Sequence, residues 1–130
     1  LRDKGIELGQ KKSYDFVFSI FHPFHFAPKA AVSCAKKLKI QALHGIKNKA
    51  DTLSTLSESK GYDLSRILYV GNDLNDFHVM KICGYSACPI DSHIKIKELS
   101  NILLHTRGGE GVVRELLEEI FDLDFIKILY

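Results

Sequence analysis

ILYVGNDLND, Ile67 to Asp76, is the stretch on which the fold turns. Ile67 to Val70 is a short apolar run bounded by turn residues, the mark of a buried strand. Gly71 to Asp76 follows as a polar turn with one glycine and two carboxylates. In an open α/β sheet, ligands sit just beyond the carboxyl ends of the strands. Carboxylates presented there, with no compensating basic run, suit a hard cation such as Mg²⁺. Mg²⁺ suits phosphate chemistry, because it neutralises phosphoryl oxygens and aligns the group for attack. Taken singly, Asp73 and Asp76 also read as ordinary turn residues or helix caps.

Upstream, Lys47 to Lys60 reads as a helix with Ala50, Leu53 and Leu56 on one face and Gly61 as its stop. Lys47 and Lys49 lie at its start, after a strand expected over Ile40 to Leu43. A lysine there can hold a phosphate as a compact positive charge, and the helix N-terminus adds N–H donors. Alone, Lys47 reads as a solvated surface lysine. The order of strand, lysine helix, strand and GNDLND turns the balance toward a phosphate site.

Further out, apolar runs alternate with amphipathic stretches, which predicts a mostly parallel sheet within three α/β layers. Strands are expected at Phe16 to Phe21, Tyr85 to Cys88 and Ile102 to Leu104. Helices are expected at Lys29 to Leu38, Phe77 to Cys83 (stopped by Gly84), Ile94 to Leu99 and Val112 to Phe121. In the last of these, Val113, Leu116, Leu117 and Ile120 share one side. Gly108, Gly109 and Gly111 form the loop before it. The prolines of HPFHFAP, His22 to Pro28, exclude a regular helix or central strand. The apolar tail from Leu123 to Tyr130 should pack on a neighbouring subunit or on the chain's own core.

The 130 residues fit a single domain, 1–130. A net charge of +2, from 18 basic and 16 acidic residues, gives no case for nucleic acid or an anionic membrane as partner. Lys36, Lys37 and Lys39 read as a solvated helix end. No apolar run reaches the roughly 18 residues of a membrane span, and no signal peptide is visible. Three cysteines, Cys34, Cys83 and Cys88, lack framework spacing and suggest reduced thiols in a cytoplasmic protein. His22, His25 and Cys34 have weak zinc-ligand spacing with no fourth ligand. Ser33 lacks a nucleophile elbow. His78, His93 and His105 each read first as surface residues.

The order of motifs resembles the haloacid dehalogenase (HAD) superfamily. GNDLND is similar to its acidic GDxxxD motif, and Lys49 in GIKNK falls where the family's phosphate-holding lysine lies. RDKGIEL (Arg2 to Leu8), CPIDSH (Cys88 to His93) and RGGEGVVRELLE (Arg107 to Glu118) resemble segments of the 3-deoxy-D-manno-octulosonate 8-phosphate phosphatases. A similar domain is fused to some N-acylneuraminate cytidylyltransferases. The resemblance implies a capless, HAD-like Rossmannoid domain and a Mg²⁺-dependent phosphatase acting on a phosphorylated sugar acid. It also implies a homo-tetramer whose active site a neighbouring subunit completes.

Three departures accompany the resemblance. The DxDGxx motif, with its nucleophilic aspartate, is absent, and its place would be upstream of Leu1 in a βα unit on the order of 30 residues long. Whether the chain is itself an enzyme is therefore open, because without that carboxylate there is no covalent route. At the second motif, Ile20 takes the place of a Ser or Thr and Ser19 lies one residue early, which turns a strand side chain to the other face. Asn72 stands where the family has a metal-binding aspartate.

The resulting assignment has Lys49 on the phosphate, with Ser19 as a second phosphate contact. Asn72, Asp73 and Asp76 are the metal candidates, with Asp76 orienting either the lysine or the metal water. His93 and Arg114 border the substrate or a subunit interface. The alternative is a non-catalytic domain that assembles a cytidylyltransferase. A receiver-like or flavodoxin-like binding domain would share the architecture but leaves RGGEGVVRE without a role.

Overall fold

A computed structural model of the chain describes residues 19–22, 36–37, 41–44, 46–124 and 126–127. One parallel strand pairing opens the chain order: β1 (Ser19–His22) lies beside β2 (Gln41–His44), with Ser19 opposite Gln41 and His22 opposite His44. A second parallel sheet follows, in the order β3 (Leu68–Val70), β4 (Tyr85–Cys88) and β5 (Ile102–Leu103). Leu68 pairs with Tyr85, and Ala87 with Ile102. Parallel pairing needs a crossover each time; α2 (Phe77–Ile82) provides it between β3 and β4, and α3 (Ile94–Leu99) between β4 and β5, while α1 (Lys49–Lys60) precedes β3. The final helix, α4 (Val112–Glu115), runs into a wider π-type turn over Leu116–Ile120. Among the described residues, no connection is long enough for a separate cap.

Strand side chains alternate between two faces, and two core clusters follow from that alternation. Tyr69 and Cys88 face Leu53 of α1, Val79 and Met80 of α2 and Ile96 of α3. Ala87 and Ile102 face the opposite way and meet Leu104 and Leu116, with Leu68, Val112 and Ile120 packed against them. The sheet is thus the middle of three layers, as expected of an α/β domain.

Local chemistry sets the boundaries. Asn48 begins α1, because its side-chain oxygen accepts from the N–H groups of Ala50 (3.1 Å) and Asp51 (3.2 Å). Gly61 ends it at φ 70°, a left-handed conformation that suits glycine, and its N–H reaches back to Glu58. The buried stripe of α1 runs Lys49, Leu53, Ser57, with Ala50 beside it, and Leu56 lies at its margin.

Two expectations are corrected here. The last helix is not a uniform α-helix, and Val113 is 54% exposed instead of sharing the apolar side. The cause is Glu115, which turns inward to hold two backbone N–H groups, so that Val112, Leu116 and Ile120 face the core. Lys36 and Lys37 are helical and exposed, as a solvated helix end requires. Residues 1–18, His25, Ser33, Cys34 and Lys39, with most of HPFHFAP and half of the apolar tail, lie outside the described residues.

Ile96 has no solvent exposure, whereas Ile94 two residues earlier is 59% exposed. Ile96→Ala should therefore destabilise the fold by about 2–5 kcal/mol, and Ile94→Ala by no more than about 0.5 kcal/mol. Urea unfolding measures both; similar losses at the two sites would contradict this packing.

Candidate functional site

Strand β3 ends at Val70, and Gly71 keeps the turn close to the sheet by donating to the Ala87 carbonyl at 3.1 Å. A Cβ on Gly71 would stand 2.6 Å from the Asp76 Cβ and 2.7 Å from the Met80 sulfur. Only glycine lets the Asp76 side chain pass this point. A single 3₁₀ turn, Leu74–Asp76, then brings the chain back over the end of β3, capped by Asp73 Oδ1 accepting from the Leu74 N–H at 2.7 Å.

That turn places Asp76 inside the protein, 4% exposed, with both oxygens engaged. Oδ1 accepts from Lys49 Nζ at 2.5 Å and from the Tyr69 hydroxyl at 3.0 Å. Oδ2 accepts from the N–H groups of Asn72 (3.0 Å) and Asp73 (3.3 Å). Lys49, itself 8% exposed, also reaches Asn75 Oδ1 at 3.3 Å. The first residue of α1 and the turn after β3 are thereby joined by a buried charge pair. Lys47 is exposed, so the two lysines are distinguished: only Lys49 enters the site. Burial, then the charge of Asp76 and its hydrogen bond, push the Tyr69 phenol far above its ordinary range, and it remains a proton donor to Asp76.

Asn72 and Asp73 are exposed at the same strand end. Among the described residues, no three His, Cys, Asp or Glu side chains gather into a metal cage. An amide oxygen and a carboxylate do fit Mg²⁺, which keeps several waters and takes further oxygens from bound phosphate. Asp76 is less suited to direct ligation, because four donors already face it.

The loops after β4 and β5 lie alongside. His93 donates its backbone N–H to the Asn72 carbonyl at 2.9 Å, and its Nδ1 caps α3 at Lys95. Asp91 accepts from the Gly108 N–H at 2.9 Å and lies 4.0 Å from Arg107 Nε. Those contacts hold the Asp91 carboxyl below its usual value, chiefly through the Gly108 hydrogen bond. Glu115 accepts from the His105 N–H (2.7 Å), the Thr106 N–H (2.8 Å) and the Thr106 hydroxyl. Its burial raises the carboxyl pKa, but those hydrogen bonds outweigh burial and leave it below the ordinary 4.5.

Ser19 lies in β1, three residues before His22. Arg114 is exposed on α4. Burial pushes the Cys83 thiol up to about 11, so it presents no reactive thiolate, and Cys88 is buried in β4. Tyr69 and Glu115 escaped the sequence reading. Tyr69 was discoverable from strand alternation, which puts it on the side of the sheet that α1 covers.

Residues 14–116 match the family described as haloacid dehalogenase-like hydrolase. This chain belongs to that family. The HAD chain is 32% identical over 85 residues to the 3-deoxy-D-manno-octulosonate 8-phosphate phosphatase KdsC of Salmonella typhi, covering 65% of this chain and 45% of that protein. It is 24% identical over 121 residues to N-acylneuraminate cytidylyltransferase A of Danio rerio, covering 92% of this chain and 28% of that protein. It therefore spans less than half the length of either relative. Among solved structures, the 3-deoxy-D-manno-octulosonate 8-phosphate phosphatase of Moraxella catarrhalis superposes with a TM-score of 0.78 at 24% identity, over 88% of this chain and 68% of that one. That likeness establishes the HAD fold. Among the described residues, no helix is long and apolar enough to cross a membrane.

Removing one partner of a buried ion pair strands the other charge. Lys49→Met should cost about 3–5 kcal/mol, and adding Asp76→Asn should recover much of it, because the amide is neutral. Equal stability of the single and double variants in urea unfolding would rule out the buried pair. The lowered pKa of Glu115 carries a pH signature: its contribution to stability is complete above the ordinary 4.5 and is lost as pH falls through its lower folded value. Glu115→Gln should flatten the acid limb of a stability profile; an unchanged limb would assign that loss to other carboxylates.

Proposed function

We propose that this chain forms the phosphate-holding part of a Mg²⁺-dependent phosphomonoesterase. Its substrate would be a phosphorylated sugar acid of the 3-deoxy-D-manno-octulosonate 8-phosphate or N-acylneuraminate 9-phosphate type. The observation that carries this reading is the buried Lys49, fixed by Asp76 at a strand edge beside the exposed Asn72 and Asp73. Similarity to a 3-deoxy-D-manno-octulosonate 8-phosphate phosphatase supports the substrate class.

Lys49 carries three N–H donors. Asp76 and Asn75 take two, and the third would go to a phosphoryl oxygen. Asp76 holds the ammonium in one place and prevents it from swinging into solvent. Tyr69, from below, keeps Asp76 from rotating away. Asn72 and Asp73 would hold Mg²⁺, which neutralises phosphoryl charge when bound. His93 stands beside Asn72 through its backbone, and the exposed Arg114 would meet a substrate carboxylate or a neighbouring subunit of a homo-tetramer. Bond breaking needs a nucleophile, and this sequence contains no DxDGxx motif to supply it. A purely assembling domain is the weaker reading, because it has no use for a buried charge pair at the ligand-binding edge.

The test is calorimetric titration with 3-deoxy-D-manno-octulosonate 8-phosphate and N-acylneuraminate 9-phosphate, with and without Mg²⁺. Binding should require Mg²⁺ and weaken at least about tenfold in the Lys49→Met/Asp76→Asn variant, since a hydrogen bond to a charged group is worth about 1.5–3 kcal/mol. Equal binding by the double variant would remove Lys49 from the site. Phosphate release from the same mixtures would show that the chain supplies its own nucleophile.

A further inference from the structure

Three loops leave the carboxyl ends of β3, β4 and β5, and each is tied to the next. The Asn72 carbonyl of the first accepts from His93 of the second at 2.9 Å. The second is tied to the third twice. Ile90 donates its N–H to the Thr106 carbonyl at 3.2 Å, and Asp91 accepts from the Gly108 N–H at 2.9 Å. The third loop is fixed in turn by Glu115, whose carboxylate takes the N–H groups of both His105 and Thr106. Glu115 is 6% exposed, and its carboxylate accepts three hydrogen bonds, all from that single loop.

We propose that Glu115 is a positioning residue for the acidic turn, setting the place of Asn72 and Asp73 through the loops at Thr106 and Asp91. The proposal rests on the functional reading above only in calling that turn a binding site. Glu115 touches neither Lys49 nor Asp76, and no reacting group would reach it. Its part is to hold the last link of the chain of loops against α4. Residues Asp73, Asn72, His93, Asp91 and Thr106 then move as one unit. The carboxylate suits this task because each of its oxygens accepts a backbone N–H, a pattern that needs two acceptors on one rigid group. An amide in the same place would aim N–H donors at one of those N–H groups, and the grip would fail.

The experiment compares the unmodified chain with Glu115→Gln by amide hydrogen exchange and by titration of inorganic phosphate in the presence of Mg²⁺. Loss of one satisfied acceptor should accelerate exchange by about tenfold at His105 and Thr106. The proposal requires acceleration at Ile90 and His93 as well, with Val79 and Met80 unchanged, and a several-fold loss of phosphate affinity. Acceleration confined to His105 and Thr106 would reduce Glu115 to a local cap and overturn the proposal. Uniform acceleration that includes Val79 would also overturn it, since that reports only global stability. Should Glu115→Gln fail to fold, Asp91→Ala cuts the middle link: Gly108, Ile90 and His93 must then exchange faster while His105 and Thr106 do not. An unmodified chain that binds no phosphate overturns the functional reading instead, and the exchange pattern still decides whether the loops are linked.

Discussion

A lysine and an aspartate buried against each other at the end of a strand constrain everything around them. Neither charge survives alone in a site less than a tenth exposed, because desolvation of an unpaired ion costs several kcal/mol. The pair therefore fixes where α1 may begin, since Lys49 is its first residue, and where the turn after β3 must close. Gly71 is the geometric consequence, as any larger residue would meet the Asp76 side chain. Asn48 is the helical consequence, because its cap sets the phase of α1 and points position 49 inward.

Parallel topology does the rest. With β3, β4 and β5 aligned in one direction, their carboxyl ends open on one edge, and the loops that leave them are neighbours by necessity. Short loops carry many backbone polar groups and little apolar surface, so they are held by hydrogen bonds instead of packing. The carboxylates of Asp76, Asp91 and Glu115 each satisfy N–H groups in this region. Asp76 serves the turn it belongs to and ties it to α1 through Lys49, and the other two also join elements distant in sequence. This explains how an acidic chain segment can be mainly structural even beside a site that would bind a cation.

The sequence made the architecture plain where its signals were local. Ile67 to Val70 is a strand in all but its first residue, and the helix stop at Gly61 stands where it was read. Lys49 and Asp76 were legible as a pair of opposite charges at two ends of one sheet edge. What escaped depends on contacts between distant segments. Tyr69 looks like one more apolar strand residue until its hydroxyl is seen on Asp76. Glu115 looks like an exposed helix residue until the loop after β5 is placed against it. Its inward turn also rotates the last helix away from the apolar stripe that periodicity predicts.

On the proposed reading, the charge balance of the turn has a consequence for the order of binding. Asp76 is neutralised by Lys49, and Asn72 carries no charge where a second carboxylate could stand. Asp73 alone then brings negative charge to the metal position, and one of its oxygens already caps Leu74. So weak a donor set would hold Mg²⁺ poorly by itself. It would also repel a phosphate dianion less than a pair of carboxylates would. Phosphate oxygens complete the metal's coordination, and the metal in turn lowers the repulsion felt by the phosphate. Each ligand would therefore raise the affinity for the other by the same factor, so that the metal would be held mainly when a phosphorylated substrate is present.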